Sequence, residues 1–235
     1  MDEKLSDLVE RLQKAHGETL VSVILYGSAA AGDHHDKYSD LNVLCVLKQV
    51  MPQELADSEP VMNWWRAKGN PSPLMMSEEE VRTSTDCFPI EFHDMQERRR
   101  VLFGKDIIES LVVDRTFYRA QVEHELRAKL LRLRQKGAGL LTDAPGLVRL
   151  MADSVSTFLV LGRHALLLAG IAVEWKKREV ARKLAQIGVD TQPFLTLLDL
   201  REQNIGELQI EPRPLFGEYL KNIEILVSYV DRLEK

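Results

Sequence analysis

Apolar positions along the chain change period several times, and each change predicts an element. Leu5, Leu8, Val9 and Leu12 recur at helical spacing, so residues 4–15 form an amphipathic helix that Gly17 ends. Residues 20–26 and 41–47 are apolar at nearly every position, the pattern of strands buried on both faces. Pro52 opens a helical stretch that stops near the breaker Lys68-Gly69-Asn70-Pro71. Residues 74–76 read as a short strand, and Ser77 before three glutamates reads as a helix N-cap. "FPIEFHDM", residues 88–95, alternates from Ile90 onward and predicts a strand, with Ile90 and Phe92 on one face and Glu91 and His93 on the other. Val101, Leu102 and Phe103 predict another short strand before Gly104-Lys105-Asp106.

After about residue 113 the period becomes helical throughout. One long helix runs from an Asp114 cap to a stop at Gly137, and further helices fit 145–169, 176–187, 193–204 and 214–233. The expected fold class is α+β: a mixed sheet with flanking helices over residues 1–113, followed by an all-helical bundle over 114–235.

Composition narrows the partners. The chain has 235 residues, 29% of them charged, with a net charge of −5, so its overall field does not attract nucleic acid or anionic membrane. The apolar run at 165–173 is far short of the ~20 residues a membrane span needs. The N-terminus is charged and amphipathic, unlike a signal peptide. Cys45 and Cys87 lie in apolar contexts without metal-ligand spacing. These features predict a cytoplasmic protein with neither a membrane nor a nucleic-acid partner. They admit a homodimer.

The candidate chemistry is concentrated in "LYGSAAAGDHHDKYSDLNVLCVL", residues 25–47. A buried strand that ends in Gly27-Ser28 offers backbone N–H groups and a hydroxyl to an anion. Asp40 opens the next strand, and Glu91 supplies a second acid from a later one. Carboxylates beside a phosphate cradle make a hard-oxygen site suited to Mg²⁺.

Gly27-Ser28, a loop, then Asp40-x-Asn42 resembles the signature of the polymerase-β-like nucleotidyltransferase superfamily, in which a Gly-Ser turn precedes Asp-x-Asp or Asp-x-Glu. The resemblance covers about residues 20–95. The helical second half is similar in architecture to the bundle of antibiotic (aminoglycoside-type) nucleotidyltransferases. The resemblance implies Mg²⁺-dependent transfer of a nucleoside monophosphate from ATP or another nucleoside triphosphate to a hydroxyl of a small-molecule acceptor. It implies Asp40 and Glu91 as catalytic, with Asp94 as the alternative third carboxylate. The metal set would be Asp40, Asn42 and Glu91. Gly27, Ser28 and Ser39 would hold the nucleotide, and Lys105 offers a cation to its phosphates.

Two positions depart from that pattern. Asn42 stands where the family has a second acid, and Ala29-Ala30-Ala31-Gly32 lacks the arginine that often follows Gly-Ser. A catalytically weak nucleotide-binding or regulatory module of the same fold is therefore a second reading. A third is an RNA-directed or toxin–antitoxin-type role, since the spacing of Arg119 and His124 matches a family of helical-bundle ribonucleases. Glu123 on the same helix is a further candidate base. His34-His35 has no third ligand at suitable spacing.

Overall fold

The computed structural model describes residues 1–31, 41–173, 175–203, 206 and 210–233. The chain forms two units, Met1–Arg115 and Thr116–Lys235.

The first unit is built on a four-stranded mixed sheet of order β3-β2-β1-β4. β1 (Leu20–Tyr26) is central and pairs antiparallel with β2 (Asn42–Leu47) and with β4 (Arg99–Gly104). β3 (Leu74–Ser77) adds to β2 in parallel, after the crossover helix α2 (Pro52–Ala67). β1 and β2 are buried almost throughout, as their continuous apolar runs predict. One sheet face presents Val23, Leu25, Val43 and Cys45 to Leu5, Leu8 and Leu12 of α1 (Asp2–His16) and to Trp65 of α2. The other presents Ile24, Leu44 and Val46, and packs against Val81 of α3 (Glu78–Thr83), against Phe92 and Met95 of α4 (Pro89–Glu97), and against Ile108.

Three local features explain the turns. Ser77 and Glu80 close a reciprocal capping box at the start of α3, so the acid-rich first turn has its orphan N–H groups satisfied. Gly104 ends β4 with φ +76°, and a Cβ there would lie 2.0 Å from the Val21 carbonyl oxygen. Only glycine fits so close a backbone crossing. Arg99 holds Asp106 through Nε, 2.9 Å from each carboxylate oxygen.

Residues 89–97 form a helix and not the alternating strand expected from "FPIEFHDM". Pro89 occupies the first helical turn, where its missing N–H costs nothing. The buried set Pro89, Ile90, Phe92, His93 and Met95 includes i, i+3 and i, i+4 pairs. Glu91 and His93 therefore do not share a face: two residues turn a helix by roughly 200°.

The second unit is all-helical. α6 (Ala144–Leu168) packs against α5 (Tyr118–Ala138), α7 (Lys177–Lys183), α8 (Gln192–Arg201) and α9 (Pro212–Arg232). Its core includes Tyr219, edge-on to Phe158 and Phe194 at centroid distances of 5.9 and 5.3 Å. α5 begins at Tyr118 and not after an Asp114 cap, and it continues through Gly137. Gly137 is not a stop but a contact. A Cβ there would lie 2.4 Å from the Phe216 ring, so its missing side chain lets α9 approach α5. Among the described residues α6 is the one helix long and apolar enough to cross a membrane by composition, and much of that apolar surface packs inside the unit.

Candidate functional site

β1 ends at Tyr26, and Gly27 turns the chain with φ +79°, a conformation that disfavours any side chain. The Gly27 N–H donates to the Arg98 carbonyl at 3.1 Å. Its carbonyl accepts from Ala30 N–H at 3.1 Å, closing the tight turn Ser28–Ala31. Asn42 begins β2 directly opposite Tyr26, and its Nδ2 lies 3.5 Å from where a Cβ on Gly27 would sit. Gly27 and Asn42 are thus in contact range because β1 and β2 are antiparallel neighbours, even though the sequence separates them widely.

Opposed residues of an antiparallel pair share a face, so Tyr26 and Asn42 point to the α4 side of the sheet. From there α4 contributes Glu91 and Asp94, three residues apart and hence on one helix face. Their proximity registers on Tyr26, whose phenol pKa is pushed up to about 12, first by burial, then by the charge of Glu91 and of Asp94. The end of β1 therefore carries a phenol and the Asn42 amide beside a glycine turn, with Glu91 and Asp94 near enough for their charge to act on the phenol. Glu91 and Asp94, alternatives on sequence grounds, act on this spot together.

The other anticipated residues divide. Ser39 and Asp40, and with them His34 and His35, lie outside the described residues, and Ser28 is described for its backbone alone. Lys105 is not brought to Gly27. Its carbonyl accepts from the Ser22 hydroxyl at 2.7 Å, and Ser22 stands five residues before Gly27, about 17 Å along the strand. His93 is buried and lies 3.9 Å from Asp94 Oδ1 and 3.6 Å from Glu97 Oε1.

Sequence reasoning overlooked Tyr26, although it was visible as the last strand residue before the glycine. It also overlooked a cationic cluster in the helical unit. Lys177 Nζ lies 3.0 Å from Ser156 Oγ, and Arg201 donates to the same hydroxyl and to the Ala152 carbonyl. Those residues come from three helices, so no linear spacing announces them. In the same unit Arg119 is committed to Glu123 and to the Val230 carbonyl, while His124 is exposed. Glu123 is clasped by Arg127 and Arg119, which hold its carboxyl below the usual range. A carboxylate so held is a poor proton acceptor.

No protein-family model matches the sequence, and no curated protein resembles it closely enough to match. Solved structures do. A spectinomycin adenyltransferase, AAD(9), from Enterococcus faecialis, determined with ATP and spectinomycin, superposes with a TM-score of 0.64 at 14% identity, covering 98% of this chain and 99% of that one. A chain from a toxin–antitoxin structure with AMP-PNP covers 43% of this chain and 74% of its own length, at 13% identity and a TM-score of 0.31, too distant to bear on the fold. The chain thus shares the α+β fold of that adenyltransferase, a mixed sheet with flanking helices followed by a helical region.

Proposed function

We propose that this chain is a nucleotidyltransferase that moves a nucleoside monophosphate from ATP, or another nucleoside triphosphate, to a hydroxyl of a small-molecule acceptor. The observation that carries the reading is the gathering of Gly27, Asn42, Glu91 and Asp94 about Tyr26. The shared fold supports it. A cytoplasmic location fits the supply of the triphosphate.

In this reading the turn that Gly27 opens presents Ser28 to the terminal phosphates, with Ser39 as a further contact, while the Gly27 N–H itself stays on the Arg98 carbonyl. Asp40 and Asn42 would hold Mg²⁺, and Glu91 serves as the base in place of a ligand. The donor set suits the ion, because both are oxygen ligands. Bound there, the cation would neutralise the triphosphate and the leaving pyrophosphate. Glu91 accepts the acceptor's hydroxyl proton as that oxygen bonds to the α-phosphorus. The bond from the α-phosphorus to the bridging oxygen breaks, and pyrophosphate leaves with that electron pair.

The test is pyrophosphate release from ATP and Mg²⁺ across a panel of hydroxylated acceptors, with Glu91→Gln as the variant. Loss of the general base is expected to lower kcat by about 10²–10⁴-fold. Unchanged turnover in Glu91→Gln would remove Glu91 from the mechanism.

Asn42 favours a second reading, a nucleotide-binding or regulatory module with little turnover, because an amide carries no charge to hold a second cation. Titration calorimetry with ATP and Mg²⁺ separates the two. Tight binding without pyrophosphate release from any acceptor selects the module.

A further inference from the structure

A cleft of about 330 Å³ opens between β3, α3 and α4 in the first unit. Its walls are mostly apolar, with the side chains of Leu74, Met76 and Phe88 among them, and Glu80 and Glu91 line it as well. The volume lies in the range of small-molecule sites. Phe88 is 48% exposed, an aromatic ring left partly in water at the start of α4. Thioether and aromatic walls adapt to an apolar body and do not select for one shape. None of the residues lining the cleft is cationic, and its two titratable groups are both carboxylates. Glu80 is bonded to Ser77 N–H at 2.7 Å, which fixes its position without neutralising its charge.

Glu91 belongs both to this cleft and to the carboxylate pair that acts on Tyr26. A ligand seated against Met76 and Phe88 therefore lies beside Glu91. We propose that the cleft is the acceptor subsite, and that the acceptor is a small amphipathic amino alcohol. Its apolar or aromatic body packs on Leu74, Met76 and Phe88. Its protonated amine faces Glu80, and its hydroxyl reaches Glu91. This rests on the nucleotidyl-transfer reading. The hydroxyl oxygen bonds to the α-phosphorus, its proton passes to Glu91, and the bond to pyrophosphate breaks.

The cleft is tested apart from the chemistry by calorimetry on the full chain without nucleotide. The probes are 2-amino-1-phenylethanol, 2-phenylethanol, which lacks the amine, and glucosamine, which lacks the apolar body. The amino alcohol is expected to bind about tenfold tighter than either comparator. Phe88→Ala is expected to weaken it by about tenfold. Glu80→Gln keeps the capping box, since glutamine serves there equally. It is expected to weaken the amino alcohol by about threefold and leave 2-phenylethanol unchanged. Circular dichroism checks that both variants are folded. Equal binding of all three probes, indifference to both substitutions, or no saturable binding at millimolar probe overturns the subsite. If AMP passes to other acceptors while the amino alcohol ignores the cleft, the subsite falls and the transferase stands. If the probe binds as expected but no acceptor is ever adenylylated, the transferase reading falls and takes the acceptor role with it.

Discussion

Asn42 shows how much one atom can matter at this site. It sits opposite Tyr26, close to Gly27, at a point where two carboxylates from α4 already set a negative field. Exchanging its amide for a carboxylate adds a full charge. At 4 Å and an effective dielectric near 20, a single contact with a unit charge is worth roughly 4 kcal/mol before desolvation. Asn42→Asp is expected to tighten divalent-cation binding by tenfold or more. Mn²⁺-induced broadening of the Gly27 and Asn42 amide resonances reads this without any turnover. Equal Mn²⁺ affinity in the two proteins would place Asn42 away from the cation. At this scale the sequence was informative about Gly27 and Asn42, because a strand end and a strand start are visible in the apolar pattern. It was silent about Tyr26, whose significance comes only from the helix above it. It misled about Lys105, because Gly104 serves a close backbone crossing and not a ligand.

At the scale of elements, the seam between α1 and α2 holds a buried imidazole. His16 Nε2 lies 2.8 Å from Ser58 Oγ, while that hydroxyl donates to the Glu54 carbonyl at 2.8 Å. The serine proton is therefore used, and His16 donates through Nε2–H. Burial, outweighing the pull of Asp57 and Glu54, lowers the His16 pKa below its ordinary 6.5. The unfolded chain then takes up a proton more readily than the folded one as the pH drops. The stabilisation is full above about pH 6.5 and is lost as the pH falls through the folded-state value. Urea midpoints between pH 7.5 and 5 should fall more steeply for the native chain than for His16→Gln, and parallel slopes would contradict the assignment. The strands β1 and β2 and most helices were legible, since long runs of one period leave little choice. α4 was not. Four alternating residues, Ile90 to His93, satisfy strand and helix alike, and the deciding signs were Pro89 at a helix start and the burial of His93 and Met95. The start of α5 was missed for a related reason: an acid before a helical run resembles a cap, yet the helix begins four residues later.

On the scale of the molecule, each unit has its own core. The helical unit centres on α6 and on Tyr219, whose phenol is driven upward in pKa by burial and whose hydroxyl lies 3.1 Å from that of Ser154. A fragment spanning residues 116–235 is expected to melt cooperatively by far-UV circular dichroism, and a broad, featureless melt would show that its core does not suffice. The first unit has a different character, because its sheet mixes local and distant pairings. β1 and β2 follow one another and pair antiparallel, but β3 joins β2 in parallel only once α2 has crossed the sheet. Parallel pairing demands that detour, and its loop-closure entropy delays the contact. β3 is also short and lies at the sheet edge. The wall of the methionine-lined cleft is thus the seam of the sheet that knits last and opens first. Deuterium should enter the amides of Met75 and Met76 well before those of Ile24 and Leu44, and an occupant of the cleft should slow that entry from a distance by holding the seam shut.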